Sequence, residues 1–178
     1  MLKVLKKKPI FKGDLFTIYE DEVELPNGNK RTFHSGIRKP SVTVVPLDED
    51  RNVYLIDQYR YLHKKRLIEA VAGIIDEGEA PLTAAKRELK EELGIVAHNW
   101  KDLGSIQAAG SIISWDQTIF LARDLEFFDQ ELEDVEDIRE VKMPLKEAVK
   151  GIFEGKIHSS STINGILMVN ELIIKGEI

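Results

Sequence analysis

Hydrophobic and polar positions divide the chain into short extended runs with one well-marked helix among them. Residues 16–25 have extended character and end at Pro26-Asn27-Gly28-Asn29, a strong turn signal, so residues 31–37 are expected to return as the second strand of a hairpin. Two further strands are expected: residues 41–47, which carry Val42, Val44 and Val45, and residues 53–56, separated from them by the polar stretch Asp48-Glu49-Asp50-Arg51-Asn52. Pro81 suits a first helical turn, where a missing N–H costs nothing, and Gly94 suits a helix end, which predicts a helix from about Glu79 to Leu93. Residues 104–109 and 117–122 then read as strands. The acidic stretch 124–140 reads mostly as loop with a strand near 137–141, and 144–153 and 161–174 read as helices. Strands on both sides of a helix, followed by further helices, indicate an α+β or α/β/α layered domain, with no internal repeat or low-complexity linker.

The helix carries the chemistry. At roughly 100° per residue, Leu82, Leu89 and Leu93 fall on one side with Ala85 at its margin, and this side is expected to face the core. Glu88, Glu91 and Glu92 stand at i, i+3 and i+4, so their carboxylates share another face. A solvated acidic stripe is the ordinary reading of such a pattern. Against it, Glu88 and Glu92 form a like-charged i,i+4 pair that costs on the order of 0.2–0.5 kcal/mol, and Glu91 and Glu92 lie near the negative end of the helix dipole. A set of hard oxygen ligands is accounted for if Mg²⁺ or Mn²⁺ offsets the repulsion and bridges to phosphate oxygens.

Composition narrows the alternatives. A chain of 178 residues, 43% apolar, can bury one core, and no run approaches a membrane span, so one soluble domain covering 1–178 is expected. Cysteine is absent, which excludes disulfides and thiolate metal sites, and a cytoplasmic location is expected; no secretory signal is read at the basic start. A net charge of −6 disfavours nucleic acid as a partner, and Lys6-Lys7-Lys8 reads as a solvated basic run. His34, His63, His98 and His158 show no metal-ligand spacing, and no nucleophile elbow or P-loop is present.

Residues 73–95 read G-IIDEG-E-APLTAAK-R-E-L-K-E-E-L-G-I, filling every fixed position of G-x5-E-x7-R-E-U-x-E-E-x-G-U, where U is apolar. The stretch resembles the Nudix box. Weaker resemblance to ADP-ribose pyrophosphatases and nucleotide-sugar hydrolases extends upstream through Gln58-Tyr59-Arg60 and Glu69-Ala70-Val71-Ala72-Gly73. The resemblance implies a Nudix fold, an α/β/α sandwich with a mixed sheet and an N-terminal β-hairpin region, about residues 1–40, that takes part in a homodimer. It also implies metal-dependent hydrolysis of the diphosphate of ADP-ribose or a related nucleoside diphosphate sugar, giving a nucleoside monophosphate and a sugar phosphate.

Carried over by motif position, Glu88 and Glu92 are the principal metal ligands, Glu91 is a further ligand or acts through water, and the backbone carbonyl of Ala72 completes the site. Arg87 would orient the glutamates. Glu79 is either a favourable charge at the helix N-terminus or catalytic; Gly73 and Gly94 give a close backbone approach and a helix stop. Arg60 is the upstream candidate for a phosphate contact, with a surface ion pair as the alternative. Tyr59 and Tyr61 are candidates for stacking on a base or ribose, against packing roles, and Glu69 for support of the site.

Beyond the box the chain departs from ADP-ribose pyrophosphatases, which commonly have a proline about sixteen residues on and a glutamate in the following loop. The corresponding run here, Gln107-Ala108-Ala109-Gly110-Ser111-Ile112-Ile113-Ser114-Trp115-Asp116, has neither. Asp116 is its one carboxylate and a candidate base; Glu91 or an acid between Glu131 and Glu140 is the alternative. Trp115 is read as packed, with substrate contact as the alternative. Other substrates within the class are GDP-mannose, a dinucleotide or a nucleoside triphosphate. A non-catalytic module that senses a nucleotide metabolite and acts through a partner is the reading from another class.

Overall fold

In chain order the computed structural model, which describes residues 1–107, 110–132 and 137–178, forms fourteen elements. They are β1 (Lys3–Lys12), β2 (Phe16–Glu24), β3 (Lys30–Arg38), β4 (Ser41–Pro46), β5 (Asn52–Arg60), β6 (Lys65–Glu69), β7 (Val71–Ile74), α1 (Pro81–Leu93), β8 (Ile95–Gln107), β9 (Ile113–Ser114), β10 (Asp116–Phe127), β11 (Ile138–Pro144), α2 (Leu145–Phe153) and α3 (Ser160–Ile174). The expected α+β class is borne out. Two compact units result, Met1–Pro40 with Gln107–Gln117, and Ser41–Ile106 with Thr118–Ile178.

The first unit is one sheet in the order β1-β2-β3-β9. The expected hairpin is β2 and β3, antiparallel with Glu24 opposite Lys30, and Gly28 takes φ 83° in its turn. β9 joins β3 in parallel. The basic start, read from sequence as a solvated run, belongs to a strand. It is exposed along its whole length but pairs Lys3, Lys6, Lys7 and Lys8 with Glu24, Glu22, Asp21 and Glu20 of β2. Opposite charges facing each other across a ladder contribute roughly 0.2–1 kcal/mol per pair, a signal that periodicity within the first residues alone does not contain. Trp115 of this unit is half-buried under the Arg38 guanidinium, 3.9 Å above its ring.

In the second unit the strands form the sheets β7-β4-β10-β8 and β11-β5-β6. Alternation along the strands sends neighbouring side chains to opposite faces. Val42 and Val44 of β4, Tyr54 and Ile56 of β5, and Phe120 and Ala122 of β10 pack in one cluster with Ala84, Ala85, Leu89 and Leu93 of α1. Val45, Val53, Leu55 and Leu121 pack in the other with Leu145 and Ala148 of α2 and Ile166 and Val169 of α3. The strands thus lie between α1 and the C-terminal helices, the expected sandwich. Gly165 brings α3 close to β4: a Cβ there would stand 2.7 Å from Cγ2 of Val45.

Helix α1 begins two positions later than expected, with Ala80 as its N-cap, Pro81 first, and Gly94 closing it at φ 63°. Leu89 and Leu93 are buried as expected. Leu82 is 37% exposed: it lies in the first turn, ahead of Ala84, Ala85, Leu89 and Leu93, which pack in the core cluster, and does not join them. β8 and β10 are longer than their sequence signals, and the segment expected as a strand over 104–109 lies within β8 up to Gln107, its last two residues being outside the described ones. The acidic stretch 124–140 begins as the end of β10 and closes with β11.

Candidate active site

β7 pairs antiparallel with β4, setting Ala72 opposite Thr43 and Gly73 opposite Val42, and α1 packs over both strands. This fixes the register between the glutamates of α1 and the backbone of β7. The carboxyl group of Glu88 occupies the space that a side chain at Gly73 would fill, so glycine is required by this contact. One turn on, Glu92 is only 3% exposed, and its Oε2 accepts a hydrogen bond of 3.3 Å from the Ala72 N–H. A buried carboxylate of this kind carries a large desolvation cost unless something compensates its charge.

Arg87 joins the acidic residues. Its Nε and Nη2 donate to the two oxygens of Glu79 at 3.2 and 3.1 Å, and Nη2 also donates to the Ile74 carbonyl at 3.0 Å. Nη1 donates to Glu88 at 2.6 Å and to Glu91 at 3.1 Å. These contacts match the donor capacity of a guanidinium, and the planar fork fixes where each carboxylate can be. The bond to Glu79 foremost, then those to Glu88, offset the burial of Arg87 and raise its pKa further, so it remains a cation. The Arg87 bond holds the Glu79 carboxyl below its ordinary value; burial opposes this, and the Asp76 N–H, 3.1 Å away, assists. Glu79 therefore serves as the anchor of Arg87, a role that spacing along the helix did not reveal.

Among the described residues no three acidic or histidine side chains converge as a ready-made cation cluster. The sequence placed Glu88, Glu91 and Glu92 on one patch; in the structure Nη1 of Arg87 links Glu88 and Glu91, and Glu92 turns to the β7 backbone. The donor set nevertheless fits a hard divalent cation: only oxygens are offered, and the glycine cradle lets a carboxylate come against the strand.

The remaining predicted residues are more dispersed. Arg60 Nε donates to Glu69 Oε2 at 2.6 Å, so two candidate substrate contacts are paired with each other across β5 and β6. Tyr59 is 48% exposed at the end of β5, and Tyr61 lies exposed in the turn beyond it, because β5 ends at Arg60. Asp116 belongs to the other unit and accepts a hydrogen bond from Gln107 Nε2. Of the acids between 131 and 140, Glu131 pairs with Lys90 at 2.7 Å and Asp137 with Arg66 at 2.5 Å; Glu133, Asp134 and Glu136 lie outside the described residues.

Sequence reasoning missed Arg66, which ties Asp57 at 3.1 Å to Asp137, and Gln130, whose amide donates to the Glu92 carbonyl at 2.5 Å. Neither belongs to a local motif.

The site is thus a group of helical glutamates ordered by one arginine and set against a strand between two helical layers. The model of the NUDIX domain matches residues 37–160. The chain is 30% identical over 171 residues to the ADP-ribose pyrophosphatase of Mycobacterium tuberculosis (strain ATCC 25618 / H37Rv), covering 94% of this chain and 83% of that protein. It is also 30% identical to the methanol dehydrogenase activator of Bacillus methanolicus, covering 90% and 88% of the two chains. A solved ADP compounds hydrolase superposes with a TM-score of 0.87 at 27% identity, covering 99% of this chain and 97% of that one. The chain belongs to the NUDIX family and is a Nudix pyrophosphatase; hydrolases of that family are generally divalent-metal dependent.

Proposed function

We propose that this protein hydrolyses the diphosphate bond of ADP-ribose or a related nucleoside diphosphate sugar, releasing a nucleoside monophosphate and a sugar phosphate. The observation that carries the reading is the Arg87 clamp, which presents Glu88 and Glu91 together while Glu92 is held on the Ala72 N–H. The names of the M. tuberculosis relative and of the solved ADP compounds hydrolase support the substrate class.

Glu88, Glu91, Glu92 and the Ala72 carbonyl are the proposed holders of Mg²⁺ or Mn²⁺. Bound there, the cation would neutralise the diphosphate and lower the pKa of water. Arg87 keeps Glu88 and Glu91 aligned, and Glu79 keeps Arg87 in place. Glu91, 38% exposed at its side chain, is free enough of the core to take a proton from water; Asp116 is the other candidate base. Arg60, Tyr59 and Glu69 are proposed to receive the substrate, Arg60 exchanging part of its Glu69 contact for phosphate. Residues 1–178 are proposed to act as one domain, in the cytoplasm, as a homodimer through the strand region of about 1–40.

The test is turnover with Mg²⁺ of ADP-ribose, GDP-mannose, UDP-glucose, diadenosine compounds and nucleoside triphosphates, with Glu92→Gln in parallel. AMP and ribose phosphate formed from ADP-ribose, abolished by chelator and by the variant, is the expected result. Cleavage of another substrate instead would replace the substrate and keep the chemistry. A second reading, a module that senses a nucleotide and acts through a partner protein, draws on the relative named as a dehydrogenase activator; tight nucleotide binding without turnover of any compound would favour it.

A further inference from the structure

A helix ends with carbonyls that have no partner within the helix, and in α1 the last turn carries Glu91 and Glu92. Gly94 donates its own N–H to the Lys90 carbonyl at 2.9 Å. The carbonyls of the two glutamates are satisfied from elsewhere: Glu131 N–H donates to Glu91 O at 3.0 Å, and the Gln130 side-chain amide donates to Glu92 O at 2.5 Å. On either side of these bonds, Phe128 N–H donates to Gly94 O at 2.7 Å and Lys90 Nζ meets Glu131 at 2.7 Å. Residues 128–131 therefore lie as a strap across the C-terminal turn of the helix.

The strap needs Gly94 for a second reason besides its left-handed backbone. A Cβ at that position would collide with the Phe128 carbonyl oxygen. The final glycine of the box thus both stops the helix and admits the segment that fastens its end.

We infer that Gln130 is a positioning residue for the metal-holding glutamates: by bonding the Glu92 carbonyl it stops the last turn of α1 from fraying, and so keeps the Glu92 carboxylate on β7 and Glu91 beside Arg87. The inference rests on the proposed metal site. Helix ends are the first parts of a helix to open, and here opening would move two of the three carboxylates. Hydrogen-bonded supports of metal ligands typically contribute about tenfold or more to metal affinity.

The experiment is Mn²⁺ titration of the whole chain, followed by the electron paramagnetic resonance signal of free Mn²⁺, for the wild type, Glu92→Gln, Gln130→Leu and Gln130→Glu. Both Gln130 variants keep side-chain size and lose the amide donor; far-UV circular dichroism identifies any that fails to fold, leaving the other for comparison. The expected result is Mn²⁺ affinity about tenfold weaker in the folded Gln130 variants, with the helical signal retained. Wild-type affinity in them, or weakening confined to the charged variant while the apolar one binds normally, overturns the positioning role. Failure of the wild type to bind Mn²⁺, or normal binding by Glu92→Gln, would instead reject the metal site, and the inference with it.

Discussion

Glu88 stands where a side chain at position 73 would have to be, since a Cβ built on Gly73 overlaps its carboxyl group. The contact joins the strand that precedes the box helix to the first of its proposed ligands. Gly73→Ala should therefore push Glu88 out of place. We expect a loss of stability of about 1–3 kcal/mol, the usual cost of overpacking, and a fall in turnover close to that of Glu88→Gln. Denaturant unfolding and product release measured on the same sample check both; an alanine variant with full activity would contradict the assignment of Glu88.

Glu79 gives a pH-dependent expectation. Its carboxyl is held below its ordinary value of 4.5, mainly by Arg87. A depressed folded-state pKa stabilises the protein above the unfolded value, and that contribution is lost as pH falls through the folded one. Glu79→Gln should thus be less stable than wild type at neutral pH, with the gap closing below about pH 4.5. Turnover should fall as well, since Arg87 would lose its anchor; a gap constant across the acid range would refute the linkage.

Asp48 separates stability from catalysis. Burial pushes its carboxyl up, but the Asn52 side chain and backbone, Lys142 and Tyr54 outweigh it and bring it from 3.8 to about 2. The stabilisation is fully present above pH 3.8 and lost towards pH 2. Asp48→Asn is expected to cost on the order of 2 kcal/mol at neutral pH, a difference that shrinks as pH falls from 3.8 and vanishes below about 2, with activity per folded molecule unchanged. Thermal melts across this range, alongside active-site titration, provide the check.

Arg60 and Glu69 test the substrate contacts. Their 2.6 Å pair is half open to water on the arginine side, so as a surface pair it contributes at most about 1 kcal/mol to stability. If Arg60 exchanges this contact for phosphate, Arg60→Ala should raise KM about tenfold or more with little change in melting temperature. An unchanged KM would leave the pair as a strand-to-strand ion pair alone.

Local rules made much of this protein legible in its sequence. Pro81 and Gly94 bound α1 because backbone conformation at a helix end depends on the residue standing there. The spacing of Glu88, Glu91 and Glu92 placed them within one turn for the same reason, and the valines of residues 41–47 marked β4. The charge ladder of β1 and β2 escaped because Lys3, Lys6, Lys7 and Lys8 are matched to acids on the neighbouring strand, and Leu82 was misplaced because periodicity does not say how far along the helix the packing extends.

The sequence by itself determined the family, the helix and the set of acidic side chains, since all of these are written in residues a few positions apart. Tertiary structure decided what each of them does. Ala72 meets Glu92 across 20 residues, Gln130 meets it across 38, and Arg66 reaches Asp137 across 71. Such partners are brought together only when strands pair and helices pack, because the burial that selects the register is shared by the whole core. For that reason Glu79 changed from a helix-end charge into the anchor of Arg87, and Gly94 from a stop signal into the seat of a strap.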